Sequence, residues 1–298
     1  MIAPALLLAA LIAQPTYLRS RVDTGVKNDP KAHCLYWHDG TISYVQSANG
    51  SPDTTGDTEF DAVNKSFATW NAQSDACGNF HFTELGRTNR RDVGYDAKSV
   101  SNNQNLVLFR TVTCSSKVAS TDSCWSDGSC NNSYDCWQYA DKTIALTTTT
   151  YDRSTGQIFD ADMELNAAKF TFTTVDAPEC IASAISQACV ATDVQNTVTH
   201  EAGHVLGLDH PPVPPLENEE STMFASAPLG ETKKRSLDSA SKQFVCDVYP
   251  KGHPSKDCVI EQVSQDLGKS AGCDVTPGLF AALSILVLGR FSRRRFRD

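Results

Sequence analysis

The stretch Thr199-His200-Glu201-Ala202-Gly203-His204-Val205-Leu206-Gly207-Leu208-Asp209-His210 reads H-E-x-x-H-x-x-G-x-x-H. Residues four apart on a helix project from one face, so the imidazoles of His200 and His204 can reach one metal ion. Glu201 is rotated to the side of that pair, near enough to act on a water without being a ligand. Gly207 can take a positive φ and end the helix, which lets the chain turn back and present His210 as a third nitrogen ligand. Three protein nitrogens leave one position open for water, the pattern of a catalytic zinc rather than a structural one. The chain holds only seven histidines, and three of them fall in this one stretch. A chance cluster of core or surface histidines is the weaker reading.

The bulk numbers bound the rest. A chain of 298 residues holds one substantial domain plus extra segments. A net charge of −9, with acidic residues spread along the chain, argues against nucleic acid as a partner. Eleven cysteines point to a disulfide-stapled protein from an oxidising compartment. A cysteine-ligated metal cluster is disfavoured, because there is no C-x-x-C pair. Ile2 to Ala13 (IAPALLLAALIA) is apolar but too short to span a bilayer. It reads as the core of a secretory signal peptide, with a buried N-terminal strand as the alternative.

Downstream, Arg19 to Lys31 is polar and reads as a short leader. Cys34 is expected to be a disulfide partner. Thr41 to Gln46 alternates as a strand. Phe60, Val63, Phe67 and Trp70 fall at helical spacing, which predicts an amphipathic helix. Phe80 to Leu85 and Asn105 to Arg110 read as further strands. The segment from Cys114 to Cys136 is rich in Ser, Asp, Asn and Gly and carries four cysteines. It reads as a disulfide-held loop; Asp122, Asp127 and Asp135 in it suit calcium or, more simply, solvent. Thr143 to Tyr151 and Gln157 to Asn166 read as strands around a turn. Asp160, Asp162 and Glu164 are hard oxygen donors suited to calcium, and as alternate residues they equally fit a solvent-facing side of a strand. Cys180 and Cys189 are expected to pair. Asp193 is placed to cap a helix over Val194 to Leu206. The run from Pro211 to Pro215 predicts an extended loop. Leu237 to Tyr249 has helical periodicity and stops at Pro250.

The H-E-x-x-H-x-x-G-x-x-H stretch resembles the metzincin metallopeptidases. Ser221-Thr222-Met223-Phe224 is similar to their Met-turn, which sets a methionine (here Met223) beneath the metal. No tyrosine stands two positions after Met223, so the switching tyrosine ligand of the astacin-like and serralysin-like branches is absent. The helix ending at Trp70, the F-D-x-D segment from Phe159 and the closing helix before Pro250 resemble a matrixin-like catalytic domain. Ile158 stands where that family has a histidine for a second zinc, so only one zinc is carried over. The cysteine switch that keeps matrixin-type zymogens latent is also missing.

The resemblance covers roughly Cys34 to Pro250, and its strong motifs lie between Asp193 and Phe224. It implies an α+β fold: a twisted, mostly parallel sheet with long helices, an active-site helix, a Met-turn and a C-terminal helix. It implies zinc on His200, His204 and His210, Glu201 as general base, calcium as a possible second cofactor, and a protein or peptide substrate paired along an edge strand near Thr143 to Tyr151. A non-catalytic surface adhesin on the same fold is the alternative function. The C-terminus has Gly272-Cys273, an apolar run from Leu279 to Leu288, then Arg290, Arg293, Arg294, Arg295 and Arg297. This resembles the Cys–hydrophobic–Arg sorting signals of myxobacterial surface proteins, which implies a processing peptidase acting at Cys273 and membrane contact only through this segment. A plain tail anchor or an amphipathic terminal helix is the alternative. The expected organisation is thus signal peptide 1–13, leader 14–33, catalytic domain 34–250, linker 251–271 and sorting segment 272–298, in a monomer.

Overall fold

Alternation in the strands and 3.6-residue periodicity in the helices sort the described residues into one six-stranded mixed sheet, two two-stranded sheets (one of them β7, Phe172–Thr173, beside β8, Thr192–Asp193) and three helices of ten residues or more. The structure is a computed structural model and describes residues 17–26, 29–38, 40–211, 221–259 and 291–297. The main strands are β2 (Gly40–Ser47), β3 (Phe80–Thr88), β4 (Asn105–Phe109), β5 (Ala145–Asp152), β6 (Ile158–Leu165) and β10 (Phe291–Arg297). Their order in the sheet is β10-β5-β6-β4-β2-β3. β3, β2, β4 and β6 run parallel, and β5 and β10 are antiparallel additions at one side. The sheet is mostly parallel, as the α+β expectation required.

One face of the sheet carries the main core. Ile42, Tyr44, Phe82, Val107, Phe109, Ala161, Met163 and Leu165 pack there against α1 (Thr58–Cys77) and α5 (Val194–Val205). Phe60, Val63, Phe67 and Trp70 of α1 are all buried. Burial stabilises each such side chain by about 1.5–3 kcal/mol. A third helix, α6 (Ser239–Val248), is capped by Asp238, whose side chain accepts from the Ser241 amide. The Cys77–Cys246 disulfide ties it to the end of α1.

The other face of the sheet is covered too, which corrects two expectations. The cysteine-rich segment folds into α2 (Cys114–Lys117), α3 (Cys124–Asp127) and α4 (Cys130–Tyr134), held by the Cys114–Cys136 and Cys124–Cys130 disulfides. Together with the loop around Val93 and Gly94 it lies over β6. Asp160, Asp162 and Glu164 therefore do not face solvent; each is 1% exposed. Among the described residues the three carboxylates do not gather into one cluster of ligand-type oxygens. Side chains two apart on a strand are spread over about 6.6 Å; Glu164 has its own set of donors, whereas the carboxyls of Asp160 and Asp162 interact with each other. Glu164 receives Arg110 Nε at 2.7 Å, Asn131 Nδ2 at 3.0 Å and Tyr139 Oη at 3.1 Å. Asp162 accepts the backbone amides of Gly94 and Leu106 at 2.5 and 2.9 Å. Burial, and then the charge of Asp160, push the Asp162 carboxyl well above the usual carboxylate range. In the overlying segment, Asp135 is taken up by Arg91 and Arg110, and Asp122 by the Tyr134 hydroxyl.

The N-terminal leader is a further correction. Residues from Tyr17 onward belong to the domain. Strand β1 (Leu18–Arg19) pairs with β9 (Leu208–Asp209), Ser20 is fully buried, and Val22 packs with Leu35, Tyr151 and Ile158. The polar composition of this segment hid its role, because it binds mostly through its backbone. At the other end the domain extends past Pro250 to Cys258, which pairs with Cys34. The Cys180–Cys189 pair forms as expected. Five disulfides in all fit an exported protein. No helix among the described residues is long and apolar enough to cross a membrane. The expected signal peptide, most of the proline run, Cys273 and the apolar run from Leu279 to Leu288 lie outside the described residues. The arginine-rich end does not form a helix: Phe291–Arg297 is a strand on the sheet beside β5, so β5 is flanked on both sides.

Candidate metal centre

Helix α5 starts where a cap is available. Asp193 has extended backbone angles and its side chain accepts from the Asn196 amide at 2.6 Å. Arg235 holds the same carboxylate. The helix packs along α1, and the Trp70 indole donates to the Thr199 carbonyl at 2.9 Å. At the C-terminal end the carbonyls that lack a helical partner are met by large side chains. Trp37 Nε1 donates to Val205 O at 2.9 Å, and the Tyr249 hydroxyl donates to Leu206 O at 2.7 Å. Gly207 then takes φ +93°, and a Cβ there would collide with the Leu35 carbonyl. The turn is open only to glycine, and it directs the chain into β9 and His210. Pairing of β9 with β1, plus Ser20 N to Gly207 O and Ser20 Oγ to Leu208 O at 2.9 Å each, fixes that return.

The result brings the three predicted histidines together. The Nε2 atoms of His200, His204 and His210 lie 3.0, 3.1 and 3.2 Å apart pairwise. His200 Nδ1 sits 2.6 Å from Thr222 O, and His204 Nδ1 sits 2.9 Å from Leu208 O. A carbonyl oxygen only accepts, so both Nδ1 atoms carry a proton, which in the neutral imidazole leaves Nε2 as the nitrogen with the lone pair. Lone pairs of neutral imidazoles brought this close, two of them on buried rings, repel unless a cation lies between them. Three nitrogens 3.0–3.2 Å apart come slightly inside the roughly 3.3–3.4 Å edges of a tetrahedron around an ion with metal–nitrogen bonds of about 2.0–2.1 Å. The two carbonyls act as the outer partners that orient metal-ligating histidines. The donor set fits zinc.

Met223 lies under the helix that carries His200 and His204. It is 3% exposed and its sulfur packs on Gly203 inside the H-E-x-x-H stretch. Any Cβ at Gly203 would collide with that sulfur and come within 3.2 Å of the Trp70 ring. The turn also supplies Thr222 O to His200, so one segment both supports the site from below and orients a ligand.

Glu201 is fully buried beside this cluster. The Thr147 hydroxyl of β5 donates to its Oε2, a contact that local sequence could not reveal because 54 positions separate the two residues. Other contributors absent from the sequence reading are Ser20, Trp37 and Tyr249; each acts through a hydrogen bond to a backbone carbonyl, which leaves no motif. A small cavity opens next to His200, lined by Ile144, Asn196, Thr197, Ala225, Ala227 and Lys234 among others. The only other cluster of three ligand-type side chains among the described residues is Cys34, Asp257 and Cys258, whose sulfurs are spent in a disulfide. Comparison of the whole chain with protein-family models and with curated proteins found no match to either.

Proposed function

We propose that the chain is an exported zinc endopeptidase of metzincin type that hydrolyses extracellular proteins or peptides. The observation that carries this reading is the convergence of three histidine Nε2 atoms beside the buried Glu201 carboxylate. His200, His204 and His210 would hold the ion. Zinc bound there supplies Lewis acidity, which makes water a nucleophile near neutral pH and polarises a carbonyl. Glu201 takes the proton from the attacking water and delivers it to the departing amine. Thr147 fixes the carboxylate through Oε2, so that Oε1 is the atom that moves the proton. The cavity beside His200 has the position to accept a substrate side chain and so to orient the peptide.

Hydrolysis of casein or gelatin, with and without a zinc chelator, tests the activity, and metal analysis of the purified chain tests the cofactor. Zinc without hydrolysis would instead favour the binding-module reading. His210→Ala removes a ligand carried just after the two-residue strand β9 rather than on the helix. It is expected to weaken zinc binding and abolish hydrolysis while the helix persists. Stoichiometric zinc in this variant at low zinc concentration would show that the third ligand lies elsewhere.

Surface sorting belongs to the same reading. The apolar run from Leu279 to Leu288 is well below the ~20 residues that span a bilayer comfortably as a helix. It suits a transient anchor awaiting a processing peptidase at Cys273. The mature chain is therefore expected to end near Cys273, and Cys273→Ala to leave a longer, membrane-retained precursor. Intact-mass measurement decides this: a mature chain still carrying Arg293 to Asp298 would exclude processing.

A further inference from the structure

Strand β10 pairs with β5 continuously over seven residues, from Phe291 opposite Asp152 to Arg297 opposite Leu146. Without it, β5 would be the outer strand on this side of the sheet. An extended peptide joins a sheet edge through the same main-chain hydrogen bonds that β10 makes. The register sets Phe296 opposite Thr147, the residue whose hydroxyl holds the Glu201 carboxylate. The lane taken by β10 therefore runs past the candidate general base. Strands in a sheet lie about 4.7–4.9 Å apart, so that lane admits one chain at a time. The segment is cationic by sequence, with arginine at 293, 294, 295 and 297, whereas the whole chain carries −9. Opposite charge favours its return to the domain.

We propose that Phe291–Arg297 is an intrachain substrate mimic: it fills the strand position that a peptide substrate takes beside β5 and keeps the site latent while it is there. The proposal rests on the peptidase reading for the word substrate, but the occupied edge itself does not. Phe291–Arg297 cannot lie on β5 while the apolar run before it is inserted in a membrane with the arginines on the far side, so detachment, anchoring or cleavage of the tail would each free the edge.

The test uses the full chain with Arg294→Pro and Arg295→Pro together. Alternate amides of an edge strand point at its neighbour. Two adjacent prolines therefore remove a β5-facing donor whichever parity holds. Arg294→Gln with Arg295→Gln keeps the donors and lowers only the charge. The probe is a labelled peptide of residues 291–298, FSRRRFRD. A tethered strand competes at a roughly millimolar effective concentration. The proline variant is thus expected to bind the probe about tenfold or more tightly than the parent chain. Every second β5 amide should also exchange hydrogen faster, and the glutamine variant, which keeps the donors and loses half the arginine charge, should fall between the parent and the proline variant. Equal probe binding by parent and proline variant, with unchanged β5 exchange, overturns the proposal. Casein hydrolysis is measured on the same proteins. Equal hydrolysis by parent and proline variant overturns the latency role. Tighter probe binding with no hydrolysis by any of them leaves the docked edge standing and removes the peptidase reading alone.

Discussion

Glu201→Gln is expected to keep its zinc and lose nearly all peptidase activity, by roughly 10²–10⁴-fold from the missing general base alone. On the proposed reading the ligands are the three histidine nitrogens, and none of them is altered. Glutamine has the shape of glutamate, and its carbonyl oxygen can still accept from Thr147, so the fully buried side chain should stay in place. What disappears is the basic oxygen that receives the proton of water. Removing a charge from a fully buried position is not itself destabilising, so loss of folding is not expected to obscure the result. Two measurements read the outcome: chelator competition for zinc affinity, and hydrolysis of a peptide substrate at saturating zinc. Hydrolysis within about tenfold of the parent rate would sink the assignment of Glu201. Loss of zinc alongside activity would mean instead that the carboxylate belongs to the metal's own ligand set.

The centre was legible because its parts are local. A four-residue repeat, a capping aspartate and a glycine at the turn are all written within a short stretch, and helix periodicity converts them directly into geometry. The Cys180–Cys189 disulfide was legible for the same reason. Long-range packing was not. Strand β1 is two residues long and enters the site through backbone hydrogen bonds, so its side chains carry no signature. Thr147 is one threonine in the run TTTT, and only the fold selects which of them meets Glu201. The acidic alternation of Asp160, Asp162 and Glu164 misled because a polar layer buried between sheet and covering segment has the same period as a solvent face. Composition marked the cysteine-rich segment as unable to form a core of its own. It does not need one, since it lays polar groups against those acids.

That polar layer holds the largest expected effect on stability. Arg110 is completely buried, and its guanidinium reaches Glu164 and Asp135 at 2.7 Å each. Glu164 is 1% exposed. Bringing both charges out of water costs several kcal/mol per ion, so the pair as a whole stabilises little compared with an apolar pair of the same size. Breaking it is another matter. Arg110→Met fills most of the volume but leaves Glu164 buried with only Asn131 and Tyr139 as donors. The expected cost is about 3–5 kcal/mol, read as a lowered midpoint of urea unfolding with little change in slope. Adding Glu164→Leu to Arg110→Met removes the stranded carboxylate, and the double variant should regain much of the loss. Asn131 and Tyr139 would then lack their acceptor, which limits the recovery. Arg110 approaches no residue of the histidine cluster, so the folded fraction of Arg110→Met should hydrolyse peptide at the parent rate. A single variant that loses less than about 1 kcal/mol would show that water reaches Glu164, and that the cysteine-rich cover over β6 is looser than its two disulfides make it.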